Sequence, residues 1–136
     1  GARAVAYYPD FFGYLNDPIN RWDYTDRCLA RWTVDINPPP GGEVLEPEPS
    51  GQALLILADD GDGRPGLASP SWVDDPPPVL LCQVPPDAHG MRQSNPKIAR
   101  EWLSALRGTL GRAIEAGYEV TSMTRSGRYV LTRRRD

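Results

Sequence analysis

The chain opens on a strand-like alternation. Arg3 to Tyr8 carry β-branched or aromatic residues at Val5, Tyr7 and Tyr8, and Pro9-Asp10 ends the run. From Phe11 to Tyr24 the alternation gives way to turn formers, Gly13, Asn16-Asp17-Pro18 and Asn20, interleaved with Phe11, Phe12, Tyr14, Trp22 and Tyr24. Period two returns over Asp26 to Asp35. Cys28, Ala30, Trp32 and Val34 share one face, and Arg27, Leu29, Arg31 and Thr33 the other, which predicts a second strand. Leu54 to Leu57 and Val79 to Val84 read as buried strands separated by a long Pro- and Gly-rich connection.

The best-marked element follows. Asn95 is placed to cap a helix and Pro96 to occupy its first position; Ile98, Trp102, Leu106, Leu110 and Ile114 then recur every four residues, flanked by Ala99, Leu103 and Ala113. Gly117 closes the helix, and Arg100, Glu101, Arg107, Arg112 and Glu115 take positions off the apolar stripe. Tyr118 to Met123 and Arg128 to Thr132, joined by Thr124-Arg125-Ser126-Gly127, read as a terminal hairpin. The order predicts an α+β fold: a mixed or antiparallel sheet, one long amphipathic helix and a terminal β-hairpin. The chain divides into an aromatic-rich strand-loop-strand segment (1–37), a Pro/Gly-rich linker or excursion (38–50) and a strand-helix-hairpin segment (51–136), the first and last sharing one core. The middle segment follows from Pro38-Pro39-Pro40-Gly41-Gly42 and Glu46-Pro47-Glu48-Pro49, which supply few amide donors and resist ordering.

Composition narrows the function classes. The chain has 136 residues, 40% of them hydrophobic, the size of one compact domain. A net charge of −3 leaves no overall positive field for nucleic acid or an anionic membrane. The local exception, Arg133-Arg134-Arg135 beside Asp136, reads as a solvated basic end. No run approaches the ~20 apolar residues of a membrane span. No basic-then-apolar leader pattern is visible either, so the expected location is the cytoplasm. Cys28 and Cys82 lack metal-ligand or Cys-x-x-Cys spacing and have apolar neighbours, so both are expected to be reduced core residues.

Several motifs fail on inspection. Asp59-Asp60-Gly61-Asp62-Gly63 suggests a calcium loop, but counted from Asp60 the sixth position is Pro65 and the twelfth Ser71, where a glycine and a glutamate are required; a hairpin turn between strands explains it better. His89, the sole histidine, sits in a turn-like stretch with no Gly-x-Ser-x-Gly or activated cysteine to serve. No glycine loop matches a phosphate cradle, and no metal-ligand set is expected. The segment from Tyr7 to Trp32 remains. Its aromatics and its polar residues Asn16, Asn20, Arg21, Asp26, Arg27 and Arg31 could wall a pocket for a small polar ligand, or the aromatics could simply fasten a long loop to the sheet.

Two blocks carry a family resemblance. Gly1-Ala2-Arg3-Ala4-Val5-Ala6-Tyr7-Tyr8-Pro9-Asp10-Phe11-Phe12-Gly13, followed by Asp26-Arg27-Cys28-Leu29-Ala30-Arg31-Trp32, resembles a family of predicted GNAT-superfamily acetyltransferases in the region just after the cofactor-flanking helix. Val84-Pro85, Arg100-x-Trp102, Arg107, Ala116-Gly117-Tyr118 and Tyr129-Val130-Leu131 are similar to that family's C-terminal region. The resemblance implies a GNAT-like C-terminal half. It does not extend to the family's Q/R-x-x-G-x-G/A turn, whose backbone amides hold the pyrophosphate of acetyl-CoA at a helix N-terminus. It therefore implies that no cofactor binds this chain by itself. Acetyl-CoA or another acyl-CoA would need a site from a partner chain or the missing N-terminal half, and the first strand here could lack a partner strand. With that second polypeptide and a small-molecule acceptor, the chain would supply the acceptor-side wall. Tyr8, Tyr14, Asn16, Arg27 and Arg31 are the candidate substrate-binding residues, tyrosines as proton donors and arginines as anion clamps, with the catalytic base unassigned. The competing expectations are a non-catalytic interaction subunit, and half of a remodelled two-chain enzyme of small-molecule biosynthesis that performs another group transfer or an elimination.

Overall fold

Seven strands in the order β2-β1-β6-β7-β5-β3-β4 form one mixed sheet, and helices pack on one of its faces. The computed structural model describes residues 2–18, 24–34, 46–69 and 71–134. The strands are β1 (Ala2–Tyr8), β2 (Arg27–Trp32), β3 (Ala53–Asp59), β4 (Pro65–Leu67), β5 (Val79–Gln83), β6 (Tyr118–Met123) and β7 (Arg128–Arg133). Only β3 and β5 run parallel; every other neighbouring pair is antiparallel. The expected linker lies mostly outside the described residues, as do Asn20, Arg21 and Trp22 of the aromatic loop.

The helical layer begins with α1 (Ala88–Ser94), capped by Asp87, whose Oδ1 accepts from the Gly90 amide at 2.8 Å. Next comes α2 (Pro96–Leu106), a π-helical turn over Arg107–Gly111, and α3 (Arg112–Glu115). Asn95 Oδ1 accepts from Ile98 N at 3.3 Å and Pro96 sits at the helix start, as the sequence predicts. Trp102, Leu110, Ala113 and Ile114 are buried on the sheet with Ile56, Leu57, Leu80, Tyr118, Val120 and Leu131. Each Leu, Ile or Val among them contributes about 1.5–3 kcal/mol by leaving water.

Alternation along β5 assigns the faces. Leu80 and Cys82 join the helix-side core, while Leu81 and Val79 join a smaller cluster with Ala53 and Val130 on the opposite face. Bulges modify that rule. An extra residue at Val5 lets Ala4 and Tyr7, three apart, both reach the helix side, and an extra residue at Ile56 puts Ile56 and Leu57 into the same cluster.

Several expectations need correction. The first strand has partners on both sides, β2 and β6, because the β1–β2 pair closes onto the terminal hairpin. The connection between the two buried strands is not featureless. It holds the short strand β4, with Asp60 to Arg64 forming the hairpin turn the sequence predicts, and a 3₁₀ turn at Ser71–Val73. His89 lies in helix α1 rather than in a turn. Cys28 is exposed, because β2 is the outermost strand and all six of its residues are exposed. Cys82 is buried, as expected.

Candidate functional site

The aromatic loop is fastened by polar groups. Thr25 is fully buried: its Oγ1 accepts from the Phe12 amide at 2.8 Å, and its carbonyl accepts from the Phe11 amide at 3.0 Å. Asp10 takes a left-handed conformation at φ 47°, which an acidic residue tolerates better than a branched one, and Gly13 follows at φ 64°. Together they fold residues 9–13 back against Thr25. The aromatic rings point the other way. Phe11, Phe12 and Tyr14 are exposed, Tyr8 lies 5.6 Å from Phe11 between ring centres, and Phe11 meets Phe12 edge-on at 4.9 Å.

Beneath the loop lies the strongest electrostatic feature of the helix-side face. Arg107, at the start of the π turn, donates from Nη2 to Asp26 Oδ1 at 2.6 Å and from Nε to Oδ2 at 3.1 Å, the two-pronged geometry of a guanidinium on a carboxylate. Tyr7 Oη donates to Asp26 Oδ2 at 2.6 Å, and the Asp10 amide donates to Oδ1 at 2.9 Å. The Asp26 side chain is 4% exposed and that of Arg107 35%. Arg107 also stands 4.9 Å over the Tyr24 ring, a cation–π contact. Gly111 brings the helix close to Tyr7: a methyl group there would meet the ring at 3.3 Å.

These surroundings decide what the cluster can do. Burial alone would raise the Asp26 carboxyl, but hydrogen bonds from Arg107, Tyr7 and the Asp10 amide outweigh it and leave the group below its ordinary range. Tyr7 is pushed well above the ordinary phenol value, first by burial and then by its bond to the Asp26 carboxylate. A general acid or base works best when its pKa lies near the working pH, and both groups are moved away from neutrality. The trio therefore acts as an anchor that pins the loop and β1 to the helix. The Cys82 thiol, pushed up to about 12 by burial although Thr109 lies 3.8 Å away, is inert as a nucleophile.

The five candidate residues divide between separate places. Tyr8 and Arg27 oppose each other across β1 and β2, and Arg27 lies 5.3 Å over the Phe12 ring. Tyr14 and Asn16 are exposed further along the loop. Arg31, four residues beyond Arg27, turns instead to Glu119 at 3.6 Å. A shallow apolar groove of about 60 Å³ between α1 and α2, lined by Met91, Ala99, Trp102 and Leu106 among others, includes none of the five. Asp59 and Asp60 accept backbone amides of their own turn, from Gly61 at 2.7 Å and Asp62 at 2.9 Å. The sequence pattern sets Asp26 at the start of the second predicted strand and Arg107 off the helix stripe, and does not join them. Arg107's position one residue after Leu106, on the border of the apolar face, was the available signal. At the basic end Arg133 and Arg134 are exposed as expected, but Arg133 closes β7 and Arg134 Nε donates to Glu119 at 3.0 Å; Arg135 and Asp136 lie outside the described residues.

No family model, curated protein or solved structure matches the chain. Among the described residues no helix is long and apolar enough to cross a membrane.

Proposed function

We propose that this chain is one half of a two-part assembly, in which the outer edge of β2 and the aromatic loop beside it receive a second polypeptide segment. The observation carrying this reading is the exposure of β2 along its whole length. It sits at the end of the strand order, and Tyr8, Phe11, Phe12, Leu29 and Trp32 are all exposed on or beside it. Among the described residues no strand pairs with that edge; an unpaired edge invites another strand, and clustered exposed aromatics mark an association surface. The Asp26–Arg107–Tyr7 anchor holds that surface in one shape, so little ordering is left for binding.

The two sequence blocks support a GNAT-like acyltransferase as the finer reading. The second polypeptide then brings the acyl-CoA site, and Tyr8, Arg27 and Tyr14 border the acceptor. A cytoplasmic location accompanies that reading. The dispersal of the five candidate residues favours the simpler alternative, an interaction subunit without catalytic groups.

Both are testable with the chain co-expressed with its neighbouring coding segments. The double variant Leu29→Lys, Trp32→Lys is expected to keep the wild-type melting temperature, since both residues are exposed, and to lose co-purification of the second polypeptide. Retained co-purification refutes docking at β2. Acetyl-CoA is expected to bind the assembly and not the chain alone, as measured by calorimetry. Unchanged turnover in Arg27→Ala and Tyr14→Ala assemblies favours the interaction subunit.

A further inference from the structure

On the face of the sheet away from the helices, three arginines from three different segments meet one carboxylate. Glu119 on β6 is 7% exposed, and its oxygens are divided among Arg134 Nε at 3.0 Å, Arg31 Nη2 at 3.6 Å and Arg3 Nη1 at 3.4 Å. The faces follow from the register. Ala4 and Val120 pair and both enter the helix-side core, so their neighbours Arg3 and Glu119 project from the other side. One carboxylate balances one guanidinium. Among the described residues, two positive charges remain in excess at this carboxylate, in a chain whose net charge is −3.

Simple neutralisation of Glu119 does not account for this arrangement. Arg3 and Arg31 are directly opposed across β1 and β2, and like charges in that position destabilise a strand pair. A single arginine, held two-pronged, would balance the charge of a buried glutamate without that repulsion. Departures from local consistency of this kind concentrate at functional positions. The three arginine side chains are 61%, 64% and 47% exposed, so a ligand can reach them. Each carries five N–H donors; Glu119 takes one hydrogen bond from Arg3 and one from Arg134, and meets Arg31 by charge alone at 3.6 Å.

We propose that Arg3, Arg31 and Arg134 form a receptor for a doubly charged phosphate group, with Glu119 as the internal brace that holds the three side chains together. The charge excess of two matches a phosphate dianion. Planar guanidinium forks fit phosphate oxygens in pairs, which a lysine ammonium does not. The overall negative charge disfavours a long polyanion and favours a small phosphate ester or pyrophosphate.

The test is calorimetric titration of the full chain with inorganic pyrophosphate and, in a second arm, glycerol phosphate, each against sodium chloride of matched ionic strength. Saturable binding is expected in at least one arm. Arg31→Ala and Arg134→Ala should each weaken it about tenfold, the scale of one lost charge-assisted bond. Arg100→Ala, an exposed change on α2, should leave it unaltered. Glu119→Gln gives up the ion pairs that hold the three arginines together and is expected to weaken binding even though it makes the site more positive, an outcome that simple charge attraction would not produce. If Glu119→Gln does not fold, the two surface arginine variants still decide. Absence of saturation in both arms, equal affinity in Arg31→Ala, or binding confined to a nucleic-acid homopolymer would overturn the assignment.

Discussion

Asp26→Ala is expected to lower the stability of the isolated chain by about 3 kcal/mol, measured as a shift in the urea unfolding midpoint at unchanged slope. Removing one partner of a buried pair leaves the other charge uncompensated, which typically costs about 3–5 kcal/mol. The lower end applies because Arg107 is 35% exposed and recovers some hydration when Asp26 is gone. Tyr7 Oη and the Asp10 amide lose their acceptor in the same step. Asp26→Asn should be nearly as harmful, since its amide brings donors to a site already supplied with donors. In a double-mutant cycle with Arg107→Ala, the two losses should fall short of additive by about 1–3 kcal/mol. Strict additivity would show that the contact contributes nothing as a pair.

The same cluster sets a pH dependence with a definite sign. The folded pKa of Asp26 lies below its ordinary value of 3.8, so its contribution is complete above pH 3.8 and is lost as the pH falls toward the folded value. Tyr7 is raised from its ordinary 10.0, so its contribution is complete below pH 10.0 and declines as the pH rises beyond it. Asp26→Asn should flatten the acid limb of the stability curve, and Tyr7→Phe the alkaline limb. An acid limb unchanged in Asp26→Asn would assign acid unfolding to other carboxylates.

These expectations arise from contacts that the sequence discloses unevenly. The helix from Pro96 onward is legible because its four-residue apolar repeat and its Asn95-Pro96 start agree with one another. The terminal hairpin is legible because Gly127, at φ 80°, supplies the turn. Helix α1 escapes notice because it buries no residue and so carries no apolar period. Strand β4 has three residues, too few for alternation to register. The period of β2 identifies a strand correctly but does not distinguish an edge from a centre, hence the misplacement of Cys28 in the core. Asp26 and Arg107 are separated by 81 positions, and Arg3 and Glu119 by 116. Only the sheet order and the π turn bring them together. Tyr8 and Arg27 meet because their strands pair in register, whereas Arg31 faces a carboxylate contributed by a strand on the far side of β1.

Trp102→Ala should produce a loss comparable to that of Asp26→Ala or larger, about 3–5 kcal/mol, from the lost transfer energy and the cavity left in the core. Trp102 is 2% exposed, and its Nε1 donates to the Gly63 carbonyl at 2.9 Å. That carbonyl belongs to the β3–β4 turn, where Gly63 sits at φ 80°, and the adjacent Arg64–Glu101 ion pair at 3.0 Å makes a second, exposed link between turn and helix. Trp102→Phe separates packing from hydrogen bonding, because it keeps most of the apolar volume and removes the donor. It is expected to cost about 1 kcal/mol from the unmade bond, in addition to the smaller loss of ring volume. The local signature is amide exchange. In Trp102→Phe the amides of Gly61 and Gly63 should exchange faster, while those of the β6–β7 hairpin keep their protection. Equal loosening of both hairpins would mean that Trp102 supports the core as a whole and does not tether the β3–β4 turn to the helix.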